Sequence, residues 1–132
     1  MPDALAPADI EAAVVGLLDA GMTSDVATEV PNPRPTDQRY VRVRVTGGNP
    51  ANLIQSLPRV LVEVWAPDET TAFNDAQKAW ALLWAAQHSF VDTVWVADVE
   101  SSLPVNFPDP DTESPRYQFV TQIRASLQKV SV

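Results

Sequence analysis

The sequence predicts an α+β fold, with a mainly antiparallel sheet of about four strands packed by two helices. Three observations point there. Two runs, RYVRVRVTGG at Arg39–Gly48 and LPRVLVEVWAPDE at Leu57–Glu69, alternate apolar with polar residues, the period of a strand with one buried face. Two other segments repeat apolar residues at helical spacing. The strand runs also come in succession instead of alternating strictly with helices, which favours antiparallel pairing.

The first helix is expected over about residues 8–20. Pro7 and Asp9 suit a helix start, Ile10, Val14, Leu17 and Leu18 share one face, and Gly21 stands where a C-terminal cap belongs. Asp25–Val30 leans towards a short strand, and the PNPRP segment at Pro31–Pro35 is extended and stiff. A strand over Arg39–Thr46 turns Val41, Val43 and Val45 to one side and Tyr40, Arg42 and Arg44 to the other. Gly47-Gly48-Asn49-Pro50 is expected to end it, leaving a polar loop over Gly47–Leu57 that is too long for a tight hairpin.

The second strand, Arg59–Trp65, places Val60, Val62 and Val64 opposite Leu61, Glu63 and Trp65. If the two strands pair, Glu63 falls across from or diagonal to Arg42 or Arg44, a contact contributing roughly 0.2–1 kcal/mol and helping to fix register. Pro67-Asp68-Glu69 starts the second helix with Asp68 as N-cap. Its apolar stripe of Phe73, Ala76, Trp80, Leu83 and Trp84 is expected to lie on the sheet until Gln87. A third strand over Thr93–Glu100, an acidic proline-rich loop over Leu103–Pro115 and a last strand over Arg116–Lys129 complete the chain.

With 132 residues, of which 45% are hydrophobic, the chain is read as one domain over residues 1–132 with enough apolar material for a core. The net charge of −8 opposes a grip on phosphates or on anionic membranes. It suits a surface past which DNA slides without adhering. No cysteine is present, which removes disulfides and thiol chemistry. No signal peptide or membrane-spanning apolar run is visible, so a soluble protein made in a cytoplasm is expected.

No residue set reads as catalytic. His88 is the single histidine, and Ser89 beside it does not make a triad; a polar end to the second helix is the better reading. Asp109, Asp111 and Glu113 are spaced like part of a calcium loop but lack its glycine and its distal glutamate, so a solvated, stiff, projecting loop is favoured. Asp98 and Glu100 share a strand face without signs of a cleft. Gly47-Gly48 lacks the lysine and helix of a phosphate loop. Trp65, Trp80, Trp84 and Trp95 are large anchors. A core under the second helix accounts for at least two, and burial in an oligomer is open for another. Arg42 and Arg44 are read as a cross-strand or intersubunit salt-bridge set.

The segments EVPNPRP (Glu29–Pro35), RYVRVRVTGG (Arg39–Gly48), RVLVEVWAPDE (Arg59–Glu69) and PRYQFVTQIRASL (Pro115–Leu127) resemble the tail terminator and neck proteins of long-tailed actinobacterial phages. The resemblance implies a tail-terminator-like domain that assembles with itself into a ring, typically hexameric, at the head-proximal end of the tail. Such a ring ends polymerisation of the tail tube and offers a docking surface to the head, acting through interfaces and not as an enzyme. The implied partners are the tail-tube protein and head-closure proteins of the neck, with DNA only passing through the lumen. A head-closure or adaptor ring is the alternative. No cofactor or metal is implied, and the location is the virion after assembly in the host cytoplasm. On this reading Gly47, Gly48, Asn49 and Asn52, with Asp109, Asp111 and Glu113, are candidate contacts with tube or neck. Arg42, Arg44 and Glu63 are candidate subunit–subunit pairs.

Overall fold

The computed structural model describes residues 4–130; strands take 43% of these and helices 23%, so the fold is mostly β. The expected four-stranded antiparallel sheet is therefore corrected to a curled, mixed sheet of seven strands with two helices, beside a two-stranded ribbon. In chain order the elements are β1 (Ala4–Ala6), α1 (Ile10–Gly21), β2 (Asp25–Ala27), β3 (Tyr40–Pro50), β4 (Gln55–Trp65), α2 (Glu69–Ala85), β5 (Ser89–Val91), β6 (Val94–Ser101), β7 (Val105–Asn106), β8 (Arg116–Ser126) and β9 (Gln128–Val130).

The main sheet runs β2-β3-β4-β8-β6-β5, with β7 continuing the line of β6 along β8. Only β2 lies parallel to its neighbour, which makes the sheet mixed. Of the short strands, β2 lies within the expected Asp25–Val30 run, whereas β1, β5 and β7 have two or three residues each, too few to display a period. The last predicted strand divides at Leu127: β8 stays in the main sheet, and β9 leaves it to pair with β1.

Both helices cover the same face. Val41, Val43, Val60, Val62, Val64, Phe119 and Ile123 point inward and pack with Ile10, Val14, Leu18, Ala76, Ala79 and Leu83. Each helix opens on an aspartate: Asp9 Oδ1 accepts the Ala12 N–H at 3.0 Å, and Asp68 Oδ1 accepts that of Thr71 at 2.8 Å. Gly21 is the last helical residue and not the cap. A Cβ there would meet the Leu82 side chain at 2.7 Å, so the glycine lets α1 approach α2.

The stripe expected on α2 is also corrected. Its buried residues are Ala72, Asp75, Ala76, Ala79 and Leu83, whereas Phe73 and Trp84 are 38% and 47% exposed. Small alanines seat the helix close to the sheet, and the large aromatics are displaced to its flank. There Phe73 meets Tyr117, and Trp80 stacks on Trp84 at 5.2 Å. Buried Asp75 is held by Arg39 through two hydrogen bonds of 2.8 and 3.0 Å, which tie α2 to the approach to β3.

Gly47-Gly48-Asn49-Pro50 does not end the third strand. It continues to Pro50, with a bulge at Thr46 that shifts the register between Val45 and Gly47. The hairpin with β4 closes through four residues, Ala51–Ile54, in place of the long loop expected. Asn52 shapes this turn: its Oδ1 accepts the Ile54 N–H at 2.9 Å and its amide donates to Gln55 Oε1 at 3.1 Å. Beyond the bulge the hairpin forms an arm whose outgoing strand is exposed from Arg44 to Pro50, while its return strand stays paired with β8 at Gln55 and Ser56.

Candidate functional site

The face of the sheet turned away from the helices is where the candidate residues gather. Antiparallel strands set side by side bring Arg42 directly opposite Glu63, as one of the expected registers required. Arg42 donates from Nε to Glu63 Oε1 at 2.8 Å, Arg44 stands 3.8 Å from the same oxygen, and Arg116 donates to Oε2 at 3.0 Å. Glu63 is 3% exposed, and its carboxylate is shared among three arginines of its own chain. Arg42 and Arg116 also lie 5.5 Å from the Trp65 ring centre, a desolvated cation–π arrangement. Of the two sequence readings, the cross-strand one describes Arg42 and Glu63, while half-exposed Arg44 retains donors that face solvent.

Trp65 is covered on its other side. Tyr40 stacks on it at 4.8 Å, and its indole N–H donates to Asp109 Oδ2 at 3.0 Å. The acidic loop thus folds back over the sheet at Asp109, while Asp111 and Glu113 stay exposed. Asp109 also accepts the Asp111 N–H at 2.9 Å, and its backbone pairs with Ser114 and Glu113, so the loop closes on itself. The projecting loop expected from the sequence projects only at its tip. Among the described residues, no group of three His, Cys, Asp or Glu side chains is placed to hold a metal ion.

Burial would raise the Asp109 carboxyl, but the Asp111 N–H, the Trp65 indole and Arg116 outweigh it and hold it below the usual carboxylate range. A depressed folded value contributes stability above the unfolded aspartate value, about pH 3.9, and that contribution fades as pH falls through the folded one. Asp109→Asn is therefore expected to cost about 1–2 kcal/mol near neutral pH and to flatten the acid limb of the stability curve. The Trp65 indole N–H resonance, followed from pH 7 to 3, checks this. An Asn variant with the wild-type acid limb would assign that limb to another carboxylate.

The arm carries the remaining candidates. Gly47, Gly48 and Asn49 lie on its outgoing strand, and Asn52 lies at the turn beside Leu53 and Ile54, which are 91% and 63% exposed. On the helix side of the arm a cleft of about 700 Å³ is walled by Leu5, Ile10, Val45, Pro58 and Leu127. Two large apolar side chains at the end of an arm mark a contact surface more strongly than scattered exposed residues do. The sequence reading missed Leu53 and Ile54, although an Asn-Leu-Ile step in a polar turn was a visible signal. It also missed Arg116, which only the pairing of β4 with β8 brings to Glu63.

The other sequence candidates stand apart. His88 is exposed in a left-handed turn after α2, where its N–H donates to Val96, while the Ser89 hydroxyl donates to Ala86 O at 2.7 Å. Asp98 pairs with Arg124 at 3.4 Å on the open face, beside Glu100. No helix of the described residues is long and apolar enough to cross a membrane. Comparison with models of known protein families and with curated proteins found no match to this chain.

Proposed function

We propose that this chain is a structural subunit of a phage virion, assembling with itself into a ring at the head-proximal end of the tail, where it stops growth of the tube and receives the head. The observation that carries this reading is the arm. A bulged hairpin presents Leu53 and Ile54 to solvent at its end, where they are 91% and 63% exposed. Apolar anchors exposed at the end of a hairpin suit a protein whose work is done by interfaces. The sequence resemblance supplies the setting, and the tail-tube protein is the proposed partner of the arm.

Electron microscopy of intact particles labelled on this chain is the first test, with label expected only at the head–tail junction. Label along the tube, at the tail tip or nowhere on the particle would sink the reading. Deletion of the gene separates the two neck roles: overlong tails are expected for a terminator, whereas tails of normal length beside unjoined filled heads indicate a head-closure or adaptor ring. Leu53→Asp/Ile54→Asp is expected to leave the melting temperature within a few degrees of wild type, since both side chains are exposed. The same variant is expected to lower incorporation into particles at least tenfold. Normal incorporation would remove the arm from the contact.

A further inference from the structure

We infer that the open face of the sheet is a docking surface for the helical layer of a second copy of this chain, front to back; this rests on the reading that the chain assembles with itself. The argument starts from how charge is divided. Counted over its strand residues, the open face holds Arg42, Arg44, Arg59, Arg116 and Arg124 against Glu63, Asp98 and Glu100. Five of the chain's nine cations and three of its seventeen carboxylates give that face a local charge of +2, and the rest of the chain, with four cations and fourteen carboxylates, is left at −10. The two helices with their caps carry Asp9, Glu11, Asp19, Asp68 and Glu69 against a single lysine, Lys78, with buried Asp75 already paired with Arg39. The acidic loop brings Asp109 onto the Trp65 end of the open face, so the cationic character is local to the strands around Arg44 and Arg59, while the helical side is anionic. These two regions attract front to back, and the helical sides repel back to back.

Apolar surface is divided in the same way. At the middle of the open face Leu61 pairs across the strands with Val120, which is 40% exposed, and Val105 lies one strand further, 55% exposed. This apolar centre has Arg44 and Arg59 at its rim, and Arg59 makes no ion pair among the described residues. On the helical side Phe73 and Trp84 are the exposed large groups, and Asp68 and Glu69 stand at the start of the same helix. An apolar centre with a cationic rim meets an apolar stripe with an anionic end. The two patches differ, so the contact is heterologous and repeats from copy to copy, the condition for a ring.

The test uses one variant on each face, at exposed positions clear of the Glu63 cluster: Arg59→Glu/Val120→Glu on the sheet and Trp84→Glu on α2. Circular dichroism checks that both remain folded. Sedimentation velocity at low salt is expected to find the wild-type chain as a multiple of 14.4 kDa, weakened by added salt, and each variant as a monomer. Mixed one to one, the variants are expected to form a heterodimer and nothing larger, because each contributes the face that the other lacks. Loss of assembly in one variant only, with no rescue on mixing, would indicate a contact of one patch with itself and overturn the inference. A wild-type oligomer unaffected by either variant would also overturn it while leaving self-assembly intact. A wild-type chain that stays monomeric to hundreds of micromolar would overturn both.

Discussion

Replacing Glu63 with alanine is expected to destabilise the fold by about 3–5 kcal/mol, because it leaves buried arginines without a counter-charge. Arg116 has 9% of its side chain exposed and Arg42 has 23%, and both lean on the Trp65 ring, so Arg116 in particular cannot be fully hydrated without disturbing its neighbours. Glu63→Gln retains a hydrogen-bond acceptor but no charge and should fall between wild type and alanine. Arg44→Ala should be near neutral, since that side chain is half exposed and 3.8 Å away. Urea denaturation at neutral pH measures all three, with the midpoint moving and the slope held constant. A second comparison isolates the cause: in Glu63→Leu/Arg116→Met the more buried of the two orphaned charges is removed as well, and part of the lost stability should return, with Arg42 still unpaired. A Glu63→Ala loss below about 1 kcal/mol would mean that water reaches the arginines and the cluster is not a buried one.

That cluster also marks how far the sequence could be read. Alternation in Arg39–Thr46 and Arg59–Trp65 was enough to bring Glu63 to Arg42 or Arg44, because a half-buried strand has a fixed period and a one-residue slip would expose the valines; the pairing itself sets Arg42 opposite. Arg116 was invisible as the third partner, since its place depends on β8 lying beside β4, a choice made by the whole sheet. The same limit applies to β1 with β9 and to β5 with β6, where three residues carry no period. On α2 the period was read correctly but the face was assigned by size. Close approach to a sheet selected alanines, and the aromatics moved aside. In the acidic loop, Asp109 looked like its neighbours Asp111 and Glu113; only the Trp65 indole, forty-four residues earlier in the chain, separates it from them. Local chemistry was legible, and long-range pairing was not.

Gly48→Ala is the second large effect expected, and it reverses the first reading of Gly47-Gly48 as strand breakers. Gly48 has φ of +144°, a conformation that side chains rarely adopt, and a Cβ there would run into the backbone of Leu57 and Pro58 on the paired strand. Backbone atoms in a hairpin cannot swing aside as a flexible side chain does. Strain of about 1–3 kcal/mol then combines with overpacking of similar size, for a total loss of about 2–6 kcal/mol. Gly47 is the internal control. Its φ is +126°, but a Cβ would meet only the Arg59 guanidinium at 3.4 Å, so Gly47→Ala should show the strain without the clash and cost roughly half as much. The damage should stay local, because Val60 and Val62 enter the core on the far side of the bulge from the arm. Amide exchange is expected to accelerate at Asn49, Ala51 and Leu57 while Val62 and Phe119 remain protected. Loss of the arm then removes the fixed presentation of Leu53 and Ile54, so Gly48→Ala should incorporate into particles as poorly as Leu53→Asp/Ile54→Asp, although both apolar side chains are still present. If it incorporates normally, the tip acts without a rigid arm, and the strand beyond Thr46 has some other task.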